Sequence, residues 1–127
     1  MDFSRKLLKS KLHRATVTEA DLNYEGSVTI PSQLLEAADI VEYEAVSVWN
    51  ITNGSRFETY AITGPKKSSN ICVNGAAARL VSPGDLVIIA SFISIPNSKI
   101  YAHKPKVIFL DQNNRIKEVR LEIAGNK

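Results

Sequence analysis

Asn53-Gly54 stands between two runs of strand-forming residues, 45–52 and 56–63, and no other feature limits the fold of this chain so strongly. Asn-Gly favours the left-handed backbone of a tight turn whose twist matches that of two paired strands. The two runs therefore read as a β-hairpin. Similar punctuation recurs along the chain. Residues 11–17 read as an extended segment ending near Thr18 and Asp21, which can form a capped turn, and residues 27–30 as a short strand stopped by Pro31. Residues 71–73 and the nearly unbroken apolar run 86–95 read as further strands, the second buried on both faces. Residues 107–110 and 116–121 flank a turn at Asn113-Asn114.

Helices are few and short. Ser32 is placed to cap one over residues 33–38, where Leu34, Leu35 and Ala38 share a face. A second opens at Asn74-Gly75-Ala76-Ala77-Ala78 and is ended by Ser82-Pro83-Gly84. Many short strands with two short helices in 127 residues predict a mainly β fold, a compact barrel formed by a single domain over residues 1–127. The tail from Ala124 is expected to fray.

The sole cysteine, Cys72, excludes an internal disulfide framework and fits a reducing compartment. Its apolar setting, Ile71-Cys72-Val73, reads as a buried structural thiol rather than a nucleophile. Residues 1–11 lack the apolar run of a signal peptide, and no stretch reaches the length of a membrane span, so a cytoplasmic protein without a membrane partner is expected. The net charge of +3 gathers at Arg5, Lys6, Lys9, Lys11 and Arg14, beside His13. No aromatic residues interleave with them as a base-stacking platform requires, which favours a small acidic ligand over nucleic acid. The pattern singles out no metal ligands.

Chemistry enters at Tyr24-Glu25-Gly26-Ser27, between two strand-like stretches. A serine hydroxyl that attacks the preceding carbonyl turns the peptide into an ester. Elimination and hydrolysis then leave a pyruvoyl group on a new N-terminus. Glycine suits the position before the serine because it admits backbone geometries closed to other residues. Gly54-Ser55 repeats the dipeptide inside an ordinary turn, so the dipeptide alone decides nothing.

A pyruvoyl carbonyl forms a Schiff base with a substrate amine and accepts the electrons released as CO2 departs. Such a site needs a carboxylate anchor and a proton donor. Arg56 offers a planar fork that matches a carboxylate, Lys11 offers added positive charge, and Tyr60 offers a phenolic proton. Arg56 and Tyr60 share a face of one strand with Cα atoms roughly 13 Å apart, whereas Thr59 points the other way. Free N–H groups at the helix start, with small side chains at Gly75, Ala76 and Ala77, would let an anion approach.

Beyond these features the chain resembles the pyruvoyl-dependent aspartate 1-decarboxylase family over nearly its whole length. The matching stretches are Lys11-Leu12-His13-Arg14-Ala15-Thr16-Val17-Thr18, Asp21-Leu22-Asn23-Tyr24-Glu25-Gly26-Ser27 and Val48-Trp49-Asn50-Ile51-Thr52-Asn53-Gly54. Arg56-Phe57-Glu58-Thr59-Tyr60-Ala61-Ile62, Val73-Asn74-Gly75-Ala76-Ala77-Ala78 and Gly84-Asp85-Leu86-Val87-Ile88-Ile89-Ala90 follow in the family's order. The resemblance implies a six-stranded double-psi β-barrel, cut between Gly26 and Ser27 into a β chain 1–26 and an α chain 27–127. It implies a homotetramer with sites between subunits that converts L-aspartate to β-alanine for pantothenate and coenzyme A synthesis.

By position, Ser27 would become the pyruvoyl group and Schiff-base partner, and Tyr60 the proton donor. Thr59 would assist processing and substrate binding, Gly75, Ala76 and Ala77 would contribute to the substrate site, and Lys11 and Arg56 would hold carboxylates. Tyr24, Trp49 and Asn74 also match, as lining or processing residues. A maturation factor is a further partner the resemblance leaves open, and residues 96–127 carry little of it. Two other readings compete: a small basic barrel that binds nucleic acid, and a family member that no longer matures and has a structural role.

Overall fold

β1 (Ser4–Thr16) is the longest strand, and its shape organises the rest. It pairs antiparallel with β7 (Leu86–Pro96) on one edge and parallel with β8 (Lys106–Leu110) on the other. Register shifts between Leu8 and Ser10, and between Leu12 and Ala15, each insert one extra residue into β1. Arg14, with φ of 65°, sits in the second. Such bulges bend a strand and increase its twist. β1 therefore curves around the apolar residues that both its neighbours contribute.

The other strands are β2 (Glu19–Asp21), β3 (Ser27–Pro31), β4 (Ala45–Asn50), β5 (Arg56–Gly64), β6 (Cys72–Asn74) and β9 (Ile116–Leu121). The ladder runs β2-β6-β3-β5-β4-β7-β1-β8-β9. It is mainly β and barrel-like, wrapped around one core without closing. Short edge pieces such as β2, and the hairpin ending in β9, bring the strand count to nine among the described residues, which are 2–122 of this computed structural model.

Alternation fills the core. Val46 and Val48 on β4, Val28 and Ile30 on β3, Val87 and Ile89 on β7, and Leu12 on β1 all turn inward and are buried. Ile108 and Leu110 add the β8 side. The expected hairpin forms as β4 and β5, with Gly54 at φ of 81° in its turn. The helix α1 (Ser32–Ala38) buries Leu34, Leu35 and Ala38 as expected. Ser32 does not cap it: Pro31 holds the cap position, and no side chain bonds the free amides there. The segment after Asn74 is a 3-10 helix, Gly75–Leu80. A second 3-10 helix, Asn97–Ala102, follows β7 in a region the sequence left uncharacterised. The tail from Ala124 lies outside the described residues.

The N-terminal cations do not form one solvated patch. Lys9 pairs with Glu44 at 2.9 Å, Arg5 donates to Asn97 Oδ1 at 2.7 Å, and Lys6 lies over the Phe92 ring. Burial alone would raise the Glu44 pKa, but hydrogen bonds from Ser91 and Lys9 outweigh it and hold the carboxyl below its usual range.

Asn114 ties the C-terminal hairpin to the rest. Buried in the turn between β8 and β9, it accepts from Thr16 N at 2.7 Å and donates to Thr16 O at 2.9 Å and Ser69 O at 2.8 Å. Its φ of 58° suits asparagine better than most residues. Three bonds at about 1 kcal/mol each predict that Asn114→Ala lowers unfolding free energy by about 3 kcal/mol in a denaturant titration. Asn114→Asp, which keeps only the acceptor, is expected to recover a minority of that loss.

Candidate active site

Ser27 opens β3, and β3 is paired on both edges. Val28 pairs with Ala61 of β5 in parallel, while Ser27 pairs with Asn74 of β6 in antiparallel. The Ser27 side chain has no accessible surface. A hydroxyl removed from water needs a partner, and the Asn74 amide supplies it, Nδ2 donating to Ser27 Oγ at 2.8 Å. The same nitrogen donates to Thr29 Oγ1 at 3.1 Å, and the Cys72 thiol donates to Asn74 Oδ1 at 3.1 Å. Ser27 and Thr29, and likewise Cys72 and Asn74, are two apart on their strands, so each pair shares a face.

Asn74 and Gly75 mark the change from strand to 3-10 helix, and Gly75 turns the chain at φ of 74°. A Cβ on Gly75 would lie 2.7 Å from both Cα and N of Gly26 and 3.1 Å from the Tyr24 carbonyl. The backbone before Ser27 is therefore pressed against the backbone after Asn74, an approach only glycine permits. The special requirement falls on Gly75. Gly26 is exposed, is not in the left-handed region, and has open space where a Cβ would be. The expectation that Gly26 needs glycine's backbone freedom is corrected accordingly.

One residue before the Val28–Ala61 pair lie Ser27 on β3 and Tyr60 on β5, at matching positions of parallel strands. Tyr60 is half-buried and pairs with Ala45 on its other edge. Thr59 faces inward with Phe57 and Ala61, opposite to Tyr60, as strand alternation requires. Ala76 is exposed and Ala77 half-buried in the helical turn that follows Gly75. Ser27, Tyr60, Asn74 and Gly75 through Ala77 thus form one neighbourhood, with the exposed Tyr24 at its rim.

Arg56 and Lys11 stand apart from it. Arg56 begins β5, four residues from Tyr60, and its guanidinium lies 4.7 Å from the centre of the Trp49 ring. Phe92 packs on the far side of Trp49 at 6.3 Å, and a surface cavity of about 330 Å3 opens between Lys6, Trp49, Arg56 and Phe92. Lys11 lies on β1, separated from β5 by β7 and β4, and faces Glu122 at 3.7 Å. Within one chain, the two cations and Ser27 do not meet.

Cys72 is half-buried rather than fully buried. Burial, followed by the charges of Glu19 and Asp21, raises its pKa, so the thiol stays protonated and unsuited to nucleophilic attack. Thr29 was not singled out from sequence; its alternation with Ser27 on β3 was the available signal. Among the described residues no cluster of three or more His, Cys, Asp or Glu side chains could hold a metal, and no helix is long and apolar enough to cross a membrane.

The profile of the aspartate decarboxylase family matches residues 3–117. The chain belongs to that family. The aspartate 1-decarboxylase of Legionella pneumophila (strain Lens) is 67% identical over 123 residues, which are 97% of this chain and 92% of that protein. That of Syntrophotalea carbinolica is 62% identical over 87% of this chain and 84% of its own length, and that of Rhodopirellula baltica 54% over 95% and 78%. Membership sets the enzyme reading above that of a nucleic-acid-binding barrel.

The close contact at Gly75 generates a prediction. Gly75→Ala combines positive φ with contacts of 2.7 Å and is expected to destabilise the fold by more than about 1 kcal/mol in a denaturant titration. Gly84→Ala also has positive φ, at 96°, but meets nothing within 4 Å, and is expected to cost less.

Proposed function

We propose that this chain cuts itself between Gly26 and Ser27 and then decarboxylates L-aspartate to β-alanine and CO2, the reaction that feeds pantothenate and coenzyme A synthesis in the cytoplasm. The observation that carries the reading is the buried Ser27 hydroxyl, held by Asn74 beside a backbone wedged against Gly75. A serine of purely structural use gains nothing from such tight backbone packing on its N-terminal side. Family membership supports the same reading.

In the cleavage, Ser27 Oγ attacks the Gly26 carbonyl carbon. The C–N bond breaks, and the hydroxyl proton ends on the freed amine. Loss of the Ser27 α-proton then expels the Gly26 carboxylate, and water displaces ammonia to leave the pyruvoyl group. By the family pattern Thr59 assists processing and substrate binding although it faces the core beside Phe57 and Ala61, while Tyr24 lines the site and Trp49, which lies under Arg56, lines that of a neighbouring copy. When formed, the pyruvoyl group supplies an electrophilic carbonyl that takes up the electrons released as CO2 leaves. The Tyr60 hydroxyl delivers the proton that replaces CO2, and its register position beside Ser27 supports that role. Gly75, Ala76 and Ala77 present little side-chain bulk and let substrate reach their backbone.

Arg56 and Lys11 hold the substrate carboxylates. Because neither lies beside Ser27 in its own chain, they serve a neighbouring copy, and the working unit is a homotetramer with shared sites. Arg56 grips the side-chain carboxylate. A cation on the departing carboxylate would stabilise the ground state more than the transition state and slow its release as neutral CO2.

Two measurements test the reading. An intact-mass spectrum is expected to show fragments 1–26 and 27–127, the second resistant to Edman degradation, while Ser27→Ala stays a single chain without decarboxylase activity. A fully active Ser27→Ala would remove the pyruvoyl mechanism. Tyr60→Phe is expected to be cut normally and to lose about 10²–10⁴-fold in kcat, as when a general acid is missing. Turnover at the parent rate would place the proton donor elsewhere.

A further inference from the structure

A primary amide can face a serine in two ways, with opposite consequences for an attacking oxygen. If its oxygen faces the serine, it accepts the hydroxyl hydrogen and ties up the proton that must leave. If its nitrogen faces the serine, it donates to Oγ, and the hydroxyl hydrogen is free to go to a base. Asn74 presents Nδ2 to Ser27 Oγ at 2.8 Å, the second arrangement. The neighbours of such an amide decide its orientation. The neighbours here are Cys72 and Thr29.

Cys72 Sγ lies 3.1 Å from Asn74 Oδ1, and Thr29 Oγ1 lies 3.1 Å from Asn74 Nδ2. Asn74 is 3% exposed, so no solvent competes for its amide. Both N–H groups are then used, one to Ser27 and the other to Thr29, and the oxygen accepts from the thiol. Reversing the amide would leave an N–H facing sulfur, a weak acceptor.

We infer that Cys72 and Thr29 are positioning residues for self-cleavage, setting the Asn74 amide so that Ser27 Oγ accepts its hydrogen bond and keeps its own proton free to leave. The inference rests on the cleavage reading above. Its chemistry adds no step: Oγ bonds to the Gly26 carbonyl carbon, the peptide C–N bond breaks, and the proton passes to the new amine. Burial, the nearby Glu19 and Asp21 charges and a hydrogen bond to Glu19 keep the thiol protonated, as a donor must be. Glu19 is the other acceptor for its single proton, and the one on Ser27's partner is Asn74 Oδ1. Neither residue touches the bond that breaks, and both act through Asn74.

The test follows the appearance of fragments 1–26 and 27–127 by mass spectrometry in the full chain, freshly translated in a bacterial extract. Cys72→Ala removes the donor and is expected to slow cleavage roughly three- to ten-fold, the value of one modest hydrogen bond. Cys72→Ser keeps a donor at the same place and is expected to restore the parent rate, which a mere packing role would not explain. Cys72→Val, which fills the position with an apolar side chain instead of emptying it, replaces the alanine variant if that chain does not fold, with the same expected slowing. Thr29→Val frees the second amide hydrogen and is expected to slow cleavage by a similar factor. Cleavage of Cys72→Ala or Cys72→Val at the parent rate, or of Cys72→Ser as slowly as Cys72→Ala, would overturn the thiol's role and leave the cleavage reading standing. A parent chain that is never cut, even after prolonged incubation, would overturn both.

Discussion

The central constraint is that β3, only five residues long, is paired on both edges. Its first residue is Ser27, whose side chain is fully buried. Parallel pairing with β5 brings Tyr60 level with it from one side, and antiparallel pairing with β6 brings Asn74 from the other. Buried on an apolar strand without a partner, the hydroxyl would cost about 1–3 kcal/mol; the Asn74 amide removes that cost and aims the oxygen at the same time. The fold thus satisfies a buried polar group with the contact that its proposed chemistry uses.

The contact at Gly75 complements this. β6 ends at Asn74, and Gly75 turns the chain against the backbone of Tyr24 and Gly26 so closely that a Cβ does not fit there. The chain turns at positive φ and enters a 3-10 helix made of small residues. The backbone around the Gly26–Ser27 bond is held from behind while Gly26 itself stays exposed. One side of that bond is fixed by packing and the other is open, which suits a bond that must be attacked from Ser27 and then let its leaving segment go.

Local chemistry was legible in the sequence, and long-range chemistry was not. Asn53-Gly54 announced its hairpin because a turn needs only its own residues. Leu34, Leu35 and Ala38 announced a buried helix face by spacing, although Pro31 and not Ser32 took the cap position. The shared face of Arg56 and Tyr60 followed from the two-residue period of a strand. In contrast, Asn74 meets Ser27 across 47 positions of chain, and Asn114 meets Thr16 across 98. No local pattern encodes such pairings, since they depend on which strands become neighbours. The start of β1 at Ser4 was hidden differently: its basic residues gather charge near the N-terminus, yet Arg5, Lys6 and Lys11 lie in register with β7, while Lys9 and Arg14 fall at the bulges.

The separation of the cations from Ser27 is the remaining physical point. Arg56 lies over the Trp49 ring, which also meets Phe92, at the end of β5 away from Tyr60. Strand spacing puts it roughly 13 Å along β5 from Tyr60 on the same face, a span that two long side chains bridge only by turning toward each other, and here the guanidinium lies over Trp49 instead. Lys11 is separated from β5 by two intervening strands. Under the proposed shared sites, a cation placed away from the nucleophile in its own chain serves a neighbouring copy. There it can anchor the carboxylate that stays, and leave the departing one among neutral groups near Tyr60 and the Gly75 turn, where loss of charge meets no opposing cation.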